Sequence, residues 1–218
     1  GYIQLLINEM LPEIGEHKLA DFIDVFCDRG FFTPEETAQI LDAGAKYNLP
    51  GKIHANELGI TGGVQVAAQK NCYSADHLEH IGDEEIRVLQ NSEVIPVGLP
   101  GTSYFLGLPY TPVRRIMEAG LPFALASDFN PGSSPVMNMQ MVWSLACTQM
   151  KTLPVEAFNA ITINAARALR MEQTQGSISP GCDANFISTS LNNAINTIPY
   201  YFGVNHIEKV YVKAELYN

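Results

Sequence analysis

Several features that would assign a function at once are missing from this chain. It has four cysteines, Cys27, Cys72, Cys147 and Cys182, widely spaced and with no CxxC pair. That spacing argues against a disulfide framework, and free thiols of a reducing compartment are the expectation, with Cys27 and Cys147 in apolar surroundings. Basic residues are scarce. The net charge is −10 and no Lys/Arg run exceeds the pair Arg114-Arg115. A nucleic-acid partner, which needs clustered Lys and Arg, is therefore not expected. No uninterrupted apolar run approaches the roughly 20 residues of a bilayer span. No charged segment leads into an apolar one as in a signal peptide. The expected location is cytoplasmic, with no membrane partner. Neither an internal repeat nor a low-complexity stretch is visible.

What is present belongs to an ordinary globular protein. Of 218 residues, 46% are apolar and 17% charged, enough for one large domain with a small appendage. Apolar strand-like runs alternate with helical segments. An amphipathic helix is expected over residues 1–14, then a strand over 21–27. Thr33-Pro34-Glu35-Glu36 has the form of a capping box with proline in the first turn and opens a helix to about residue 47. Strands over 51–55, 72–77, 93–98 and 122–127 alternate with helices over 62–70, 83–91 and 112–120. Ser134-Pro135 opens a helix to about residue 150, and another runs from about 154 to 170. Regular alternation of this kind implies a parallel sheet with helices packed outside it. The strands are apolar throughout (Ile95-Pro96-Val97-Gly98, for example), as expected when both faces are covered. The segment Pro100 to Gly107 reads as a pocket wall or mobile loop. After Arg170 the rhythm changes, and residues 176–188 and 206–216 read as β-structure. The expected division is a barrel portion over 1–170 and a small β portion over 171–218.

Chemistry-bearing residues stand at strand ends. In a parallel α/β barrel the carboxyl ends of the strands share one face, where active sites form. His54 ends Lys52-Ile53-His54 and is either a structural histidine or a metal ligand, since neutral imidazole suits zinc or ferrous iron. Glu57, in the following loop, is a candidate proton carrier and substrate contact. His77 ends the next strand beside Asp76, an acid able to orient a neighbour. His80 is a weaker, more exposed candidate. Asp128 emerges where the apolar run Phe123 to Ala126 stops. It is either a turn or cap residue, or a carboxylate that binds a metal and accepts a proton. The next helix is expected to take its cap from Ser133 or Ser134, which leaves Asp128 for other work. Asn130, Gly132 and Ser133 precede that expected helix start. There, exposed N–H groups and the dipole favour an anion, so a substrate carboxylate is one reading and a plain loop the other. Met137, Met139 and Met141 near Trp143 read as packing residues.

Six motifs then carry a resemblance: KIHANE (52–57), SADHLEH (74–80), LPGTSYFL (99–106), ASDFNPGSSP (126–135), TINAARAL (162–169) and YFGVNH (201–206). Together they make the chain resemble the imidazolonepropionase family of the amidohydrolase superfamily, along essentially its whole length. The SDFNPGSSP stretch is the most specific of them. The resemblance implies an α/β fold, an incomplete TIM-like (β/α) barrel of strands four to eight, with a small β-sandwich portion at the C-terminus. It implies metal-dependent hydrolysis of the cyclic amide 4-imidazolone-5-propanoate to N-formimino-L-glutamate in histidine degradation. It implies one zinc or iron ion held by His54 and Asp128. Glu57, His77 and Asp128 become the catalytic set, and Glu57, Asn130, Gly132 and Ser133 the substrate-binding set. The expected partners are a small-molecule substrate and a second copy in a homodimer.

One departure accompanies the resemblance. The family's His-x-His pair on the first strand has no counterpart here, nor do the residues contributed by strands one to three. The chain is accordingly expected to be the carboxyl-terminal part of a longer enzyme, since five strands do not close an eight-stranded barrel. Alternatives are a catalytically inactive fragment or scaffold, or a related amidohydrolase or deaminase.

Overall fold

The computed structural model describes residues 1–217. It divides into two compact units, Gly1–Val97 with Glu118–Leu121, and Gly98–Met117 with the chain from Pro122 onward.

The first unit opens with helix α1 (Tyr2–Leu5), a π-helical turn (Leu6–Met10) and α2 (Leu11–His17). Lys18 ends this run in a left-handed conformation. Strands β1 (Ile23–Cys27), β2 (Gly51–Ala55) and β3 (Ser74–His77) then alternate with α3 (Pro34–Ala45), α4 (Gly63–Gln69) and α5 (Asp83–Gln90), followed by β4 (Ile95–Gly98). Adjacent strands from β1 to β4 pair in parallel, with Phe26 opposite His54 and His54 opposite Asp76. Within this unit the strands follow one another in the order β1-β2-β3-β4; the short strand β5 is Ala124–Leu125. Sequential order in a parallel sheet follows from short helical crossovers of one hand.

Local chemistry explains the helix starts. Thr33 accepts from the Glu36 amide while Glu36 returns a bond to the Thr33 amide, and Pro34 stands in the first turn. That is the capping box the sequence predicts. Gly63 lets α4 approach the sheet: a methyl group there would stand 2.9 Å from Ala55 Cβ and 3.2 Å from the Cys27 carbonyl oxygen. Val25, Cys27, Ile53, Ala55 and Ala75 of the strands are buried, as are Ile40, Leu41, Val64 and Ala67 of α3 and α4. Removal of this apolar surface from water is what binds sheet to helices.

The second unit holds α6 (Pro100–Leu106), α7 (Val113–Glu118), β5, α8 (Met139–Thr148), α9 (Pro154–Ile161) and α10 (Ile163–Ala168). It ends in a three-stranded antiparallel sheet of β6 (Phe186–Ser188), β7 (Lys209–Val212) and β8 (Glu215–Tyr217), with α11 (Ala194–Tyr200) between β6 and β7. Several local expectations change here. Residues 100–106 form a helix closed by Gly107 in the left-handed region, not a loop. The single helix expected over 154–170 is broken at Thr162, whose φ of −122° and ψ of −96° leave the helical region. Helix α11, inside the β-rich tail, was not foreseen. The thiols of Cys27, Cys72, Cys147 and Cys182 are all free.

Candidate active site

Within the first unit, β1, β2 and β3 bring together a polar group that the sequence distributes over more than 50 residues. His54 Nδ1 lies 2.9 Å from Asp24 Oδ1. Its ring centroid stands 5.8 Å from that of Phe26 and 5.1 Å from that of His77. Asp76, opposite His54 in the ladder, is buried, with the Lys52 ammonium 3.5 Å from its Oδ2. Lys52 also donates to the Ser74 hydroxyl. Burial pushes the Asp76 carboxyl above the usual carboxylate range, with Lys52 opposing and Asp24 reinforcing that shift. Alternation explains the grouping, because Asp24, Lys52, His54, Ser74 and Asp76 occupy positions of one parity in a parallel register.

His77 breaks that parity. Its ladder partner is Ala55, so regular strand geometry would point it to the opposite face from His54. Instead its φ is +80° and that of Leu78 is +64°, and the ring lies beside His54 and Phe26. Two consecutive side-chain-bearing residues in the left-handed region are costly and are kept only where the surroundings enforce them. The His77 ring sits between two carboxylates, with Nε2 3.6 Å from Glu57 Oε2 and Nδ1 3.6 Å from Glu79 Oε1. Burial alone would lower its pKa. Glu79 and Glu57 outweigh burial and raise it, which favours an imidazolium. Glu57 is itself buried in the loop after β2. Asn56, also with positive φ, ties that loop to the next: its Nδ2 donates to the His80 carbonyl, and its own carbonyl accepts from the His80 amide. His80 is thus a loop tie of intermediate exposure rather than an exposed candidate.

Asp128, Asn130, Gly132 and Ser133 lie in the second unit. Asp128 follows β5 with φ +50°, and the Thr102 hydroxyl of α6 donates to its Oδ2. The expectation that Ser133 or Ser134 caps the next helix is corrected. The Ser134 hydroxyl donates to the Ser127 carbonyl, and its amide and carbonyl pair with Asn130. This tight loop holds residues 130–134 in a closed turn, so the chain coils only at Met139, where the Asn138 side chain accepts from the Gln140 amide. Asn130, Gly132 and Ser133 are accordingly not at a helix N-terminus, and no helix dipole favours an anion there. The Gly132 amide donates instead to Asn130 Oδ1.

The sequence pattern does not single out Asp24, Lys52, Glu79 and Thr102. For Asp24 a signal exists: an acidic residue inside the apolar strand Ile23–Cys27 needs a partner or an exposed edge.

Residues 29–216 match the amidohydrolase family. The chain belongs to the amidohydrolase family. It is 49% identical over 216 residues to the imidazolonepropionase of Flavobacterium johnsoniae, covering 99% of this chain and 53% of that protein. It is 46% identical to the imidazolonepropionase of Geobacillus kaustophilus, covering 96% of this chain and 49% of that one. It thus spans about half the length of the curated relatives it matches. Among solved structures, a zinc-bound adenosine deaminase from Xanthomonas campestris superposes with a TM-score of 0.78 at 15% identity, over 95% of this chain and 55% of that one. An ochratoxinase from A. niger gives 0.76 at 18%, over 96% and 54%. At such identities the likeness is one of fold: the amidohydrolase fold, α/β with a parallel sheet. The donor chemistry agrees with the family. An imidazole steadied on one nitrogen by a carboxylate, and an aspartate steadied on one oxygen by a hydroxyl, are ligand types of zinc and ferrous ion.

Proposed function

We propose that the protein hydrolyses the cyclic amide 4-imidazolone-5-propanoate to N-formimino-L-glutamate, in histidine degradation. The observation that carries this reading is the identity of 42–49% to proteins named imidazolonepropionase over 96–99% of the chain. The placement of His54, Glu57, His77 and Asp128 at or just after the carboxyl ends of β2, β3 and β5 supports it. In this reading β1 to β5 are strands four to eight of an eight-stranded barrel. Residues 1–170 belong to that barrel, and residues 171–218 form part of a β-sandwich. The protein works in the cytoplasm as a homodimer.

His54 and Asp128 would hold one zinc or iron ion. When bound, such an ion lowers the pKa of a water ligand towards neutrality. The chain's own residues do the rest. Asp128 accepts the proton of the attacking water. His77, whose pKa Glu79 and Glu57 raise against the effect of burial, stabilises the negative charge that develops on the ring carbonyl oxygen. Glu57, ionised beside His77, takes up the proton that Asp128 removed from the water and passes it to the departing ring nitrogen. Asn130 and Ser133 hold the propanoate carboxylate, and Gly132 shapes the turn that presents them.

The test is Asp128→Ala in the natural-length protein, followed by the loss of absorbance of imidazolonepropanoate. Turnover is expected to disappear, and near-normal turnover overturns the assignment. Hydrolysis of purine amines by the unmodified protein, with none of imidazolonepropanoate, would replace this reading with a deaminase.

A further inference from the structure

We propose that Asp24 is a positioning residue, fixing the tautomer and orientation of His54 so that Nε2 carries the lone pair offered to the metal. This rests on the reading of His54 as a ligand and adds a residue that neither the motifs nor the family match singles out.

A neutral imidazole has one N–H and one lone pair. His54 Nδ1 lies 2.9 Å from Asp24 Oδ1. An ionised carboxylate only accepts hydrogen bonds, so the proton of the neutral ring belongs on Nδ1 and the lone pair on Nε2. The ring is held in orientation as well as in tautomer, since Phe26 and His77 flank it. The placement of Asp24 is a matter of register. Phe26 pairs with His54, and Asp24 lies one pleat back on the same face of β1, opposite Lys52. From there its carboxylate reaches diagonally across the strand pair.

A competing role is that Asp24, His54 and Asp76 form a cation site of their own, because their ligand atoms all lie within 4.8 Å of one another. The structure already supplies a cation there. Lys52, from the same face of β2, stands 3.5 Å from Asp76 Oδ2 and bonds to Ser74. With an ammonium beside Asp76, a divalent ion at that point would meet like charge. Asp24 therefore orients rather than ligates. Carboxylate-to-histidine bonds of this kind raise ligand basicity, and their loss costs about 10–100-fold in metal affinity.

The experiment measures metal affinity by chelator competition in the natural-length protein and in its Asp24→Ala, Asp24→Asn and His54→Ala variants. Asp24→Ala is expected to weaken binding by about 10–100-fold. Asp24→Asn keeps the shape of the side chain but offers a donor as well as an acceptor, so it does not fix the tautomer; it is expected to stay weakened like Asp24→Ala, which a merely structural role would not predict. His54→Ala is expected to lose stoichiometric metal. If His54→Ala loses the metal while Asp24→Ala stays within roughly twofold of the unmodified protein, well short of the effect expected for such a bond, the positioning role is overturned and the ligand reading stands. If His54→Ala binds metal normally, both fall. Should Asp24→Ala not fold, nitrogen NMR of the unmodified protein decides. A His54 ring protonated on Nδ1 supports the proposal, and one protonated on Nε2 overturns it.

Discussion

Replacing Lys52 by Met would leave the Asp76 carboxylate inside the protein without the ammonium that now stands 3.5 Å from it. The side chains of Lys52 and Asp76 are only 16% and 10% exposed, so water can do little to compensate. At that separation, with an effective dielectric of about 20, the attraction is about 5 kcal/mol. Breaking a buried pair by removing one partner generally costs about 3–5 kcal/mol. The raised pKa of Asp76, with burial its leading cause, shows that desolvation already exceeds what Lys52 returns. Removing Lys52 takes away the group that opposes this upward shift and so favours the neutral carboxyl further, which places the loss at about 3 kcal/mol, the lower end of that range. The same imbalance means that the pair is not a net source of stability over a neutral pair. Lys52→Met/Asp76→Asn is therefore expected to regain more than half of what Lys52→Met loses. The assay is urea unfolding of the natural-length protein and its three variants at constant m, read as a double-mutant cycle. A coupling energy of about 2 kcal/mol or more is expected. Additivity within about 0.5 kcal/mol would refute the buried pair as the stabilising contact of Asp76.

Two further outcomes follow from packing and burial. Gly63→Ala places a methyl group 2.9 Å from Ala55 Cβ and 3.2 Å from the Cys27 carbonyl. It is expected to cost about 1–3 kcal/mol, and a thermal midpoint unchanged from the unmodified protein would show that α4 does not press on the sheet as described. Burial pushes the Cys72 thiol from 9.0 up to about 12, with Asp24 and Asp76 adding to the shift and Lys52 opposing it. Below pH 9 both folded and unfolded thiols are protonated. Between about 9 and 12 only the unfolded thiol ionises, so stability falls as pH rises through that window, by up to about 4 kcal/mol. Cys72→Ala should flatten this part of the stability–pH curve, and an unaltered slope would refute the assignment.

The order of elements could be read from the chain because each boundary has a local cause. The capping box at Thr33 and Glu36 and the apolar run Ile95-Pro96-Val97-Gly98 act through neighbouring backbone and burial, and both behave as their sequences predict. The errors arise where a longer-range bond overrides a local preference. Ser134-Pro135 resembles a helix start, but the Ser134 hydroxyl is committed to Ser127 and its backbone to Asn130, and Asn138 becomes the cap. Residues 154–170 have helical composition throughout, yet the chain leaves helical geometry at Thr162. Among the candidate site residues, His54 and Glu57 are visible as polar residues ending an apolar run. Asp24 is hidden because its partner is 30 positions away, on a neighbouring strand.

The sequence by itself determined the alternation of strands and helices and the residue types available at the strand ends, because hydrophobic periodicity and caps act over a few residues. Only the tertiary structure decided how those residues are used. Strand register places Asp24 against His54 and Lys52 against Asp76. The left-handed backbone at His77 turns its ring out of strand parity, into the space between Glu57 and Glu79. Both effects depend on which strands become neighbours and on what the surrounding packing can enforce, and no single stretch of the chain contains either.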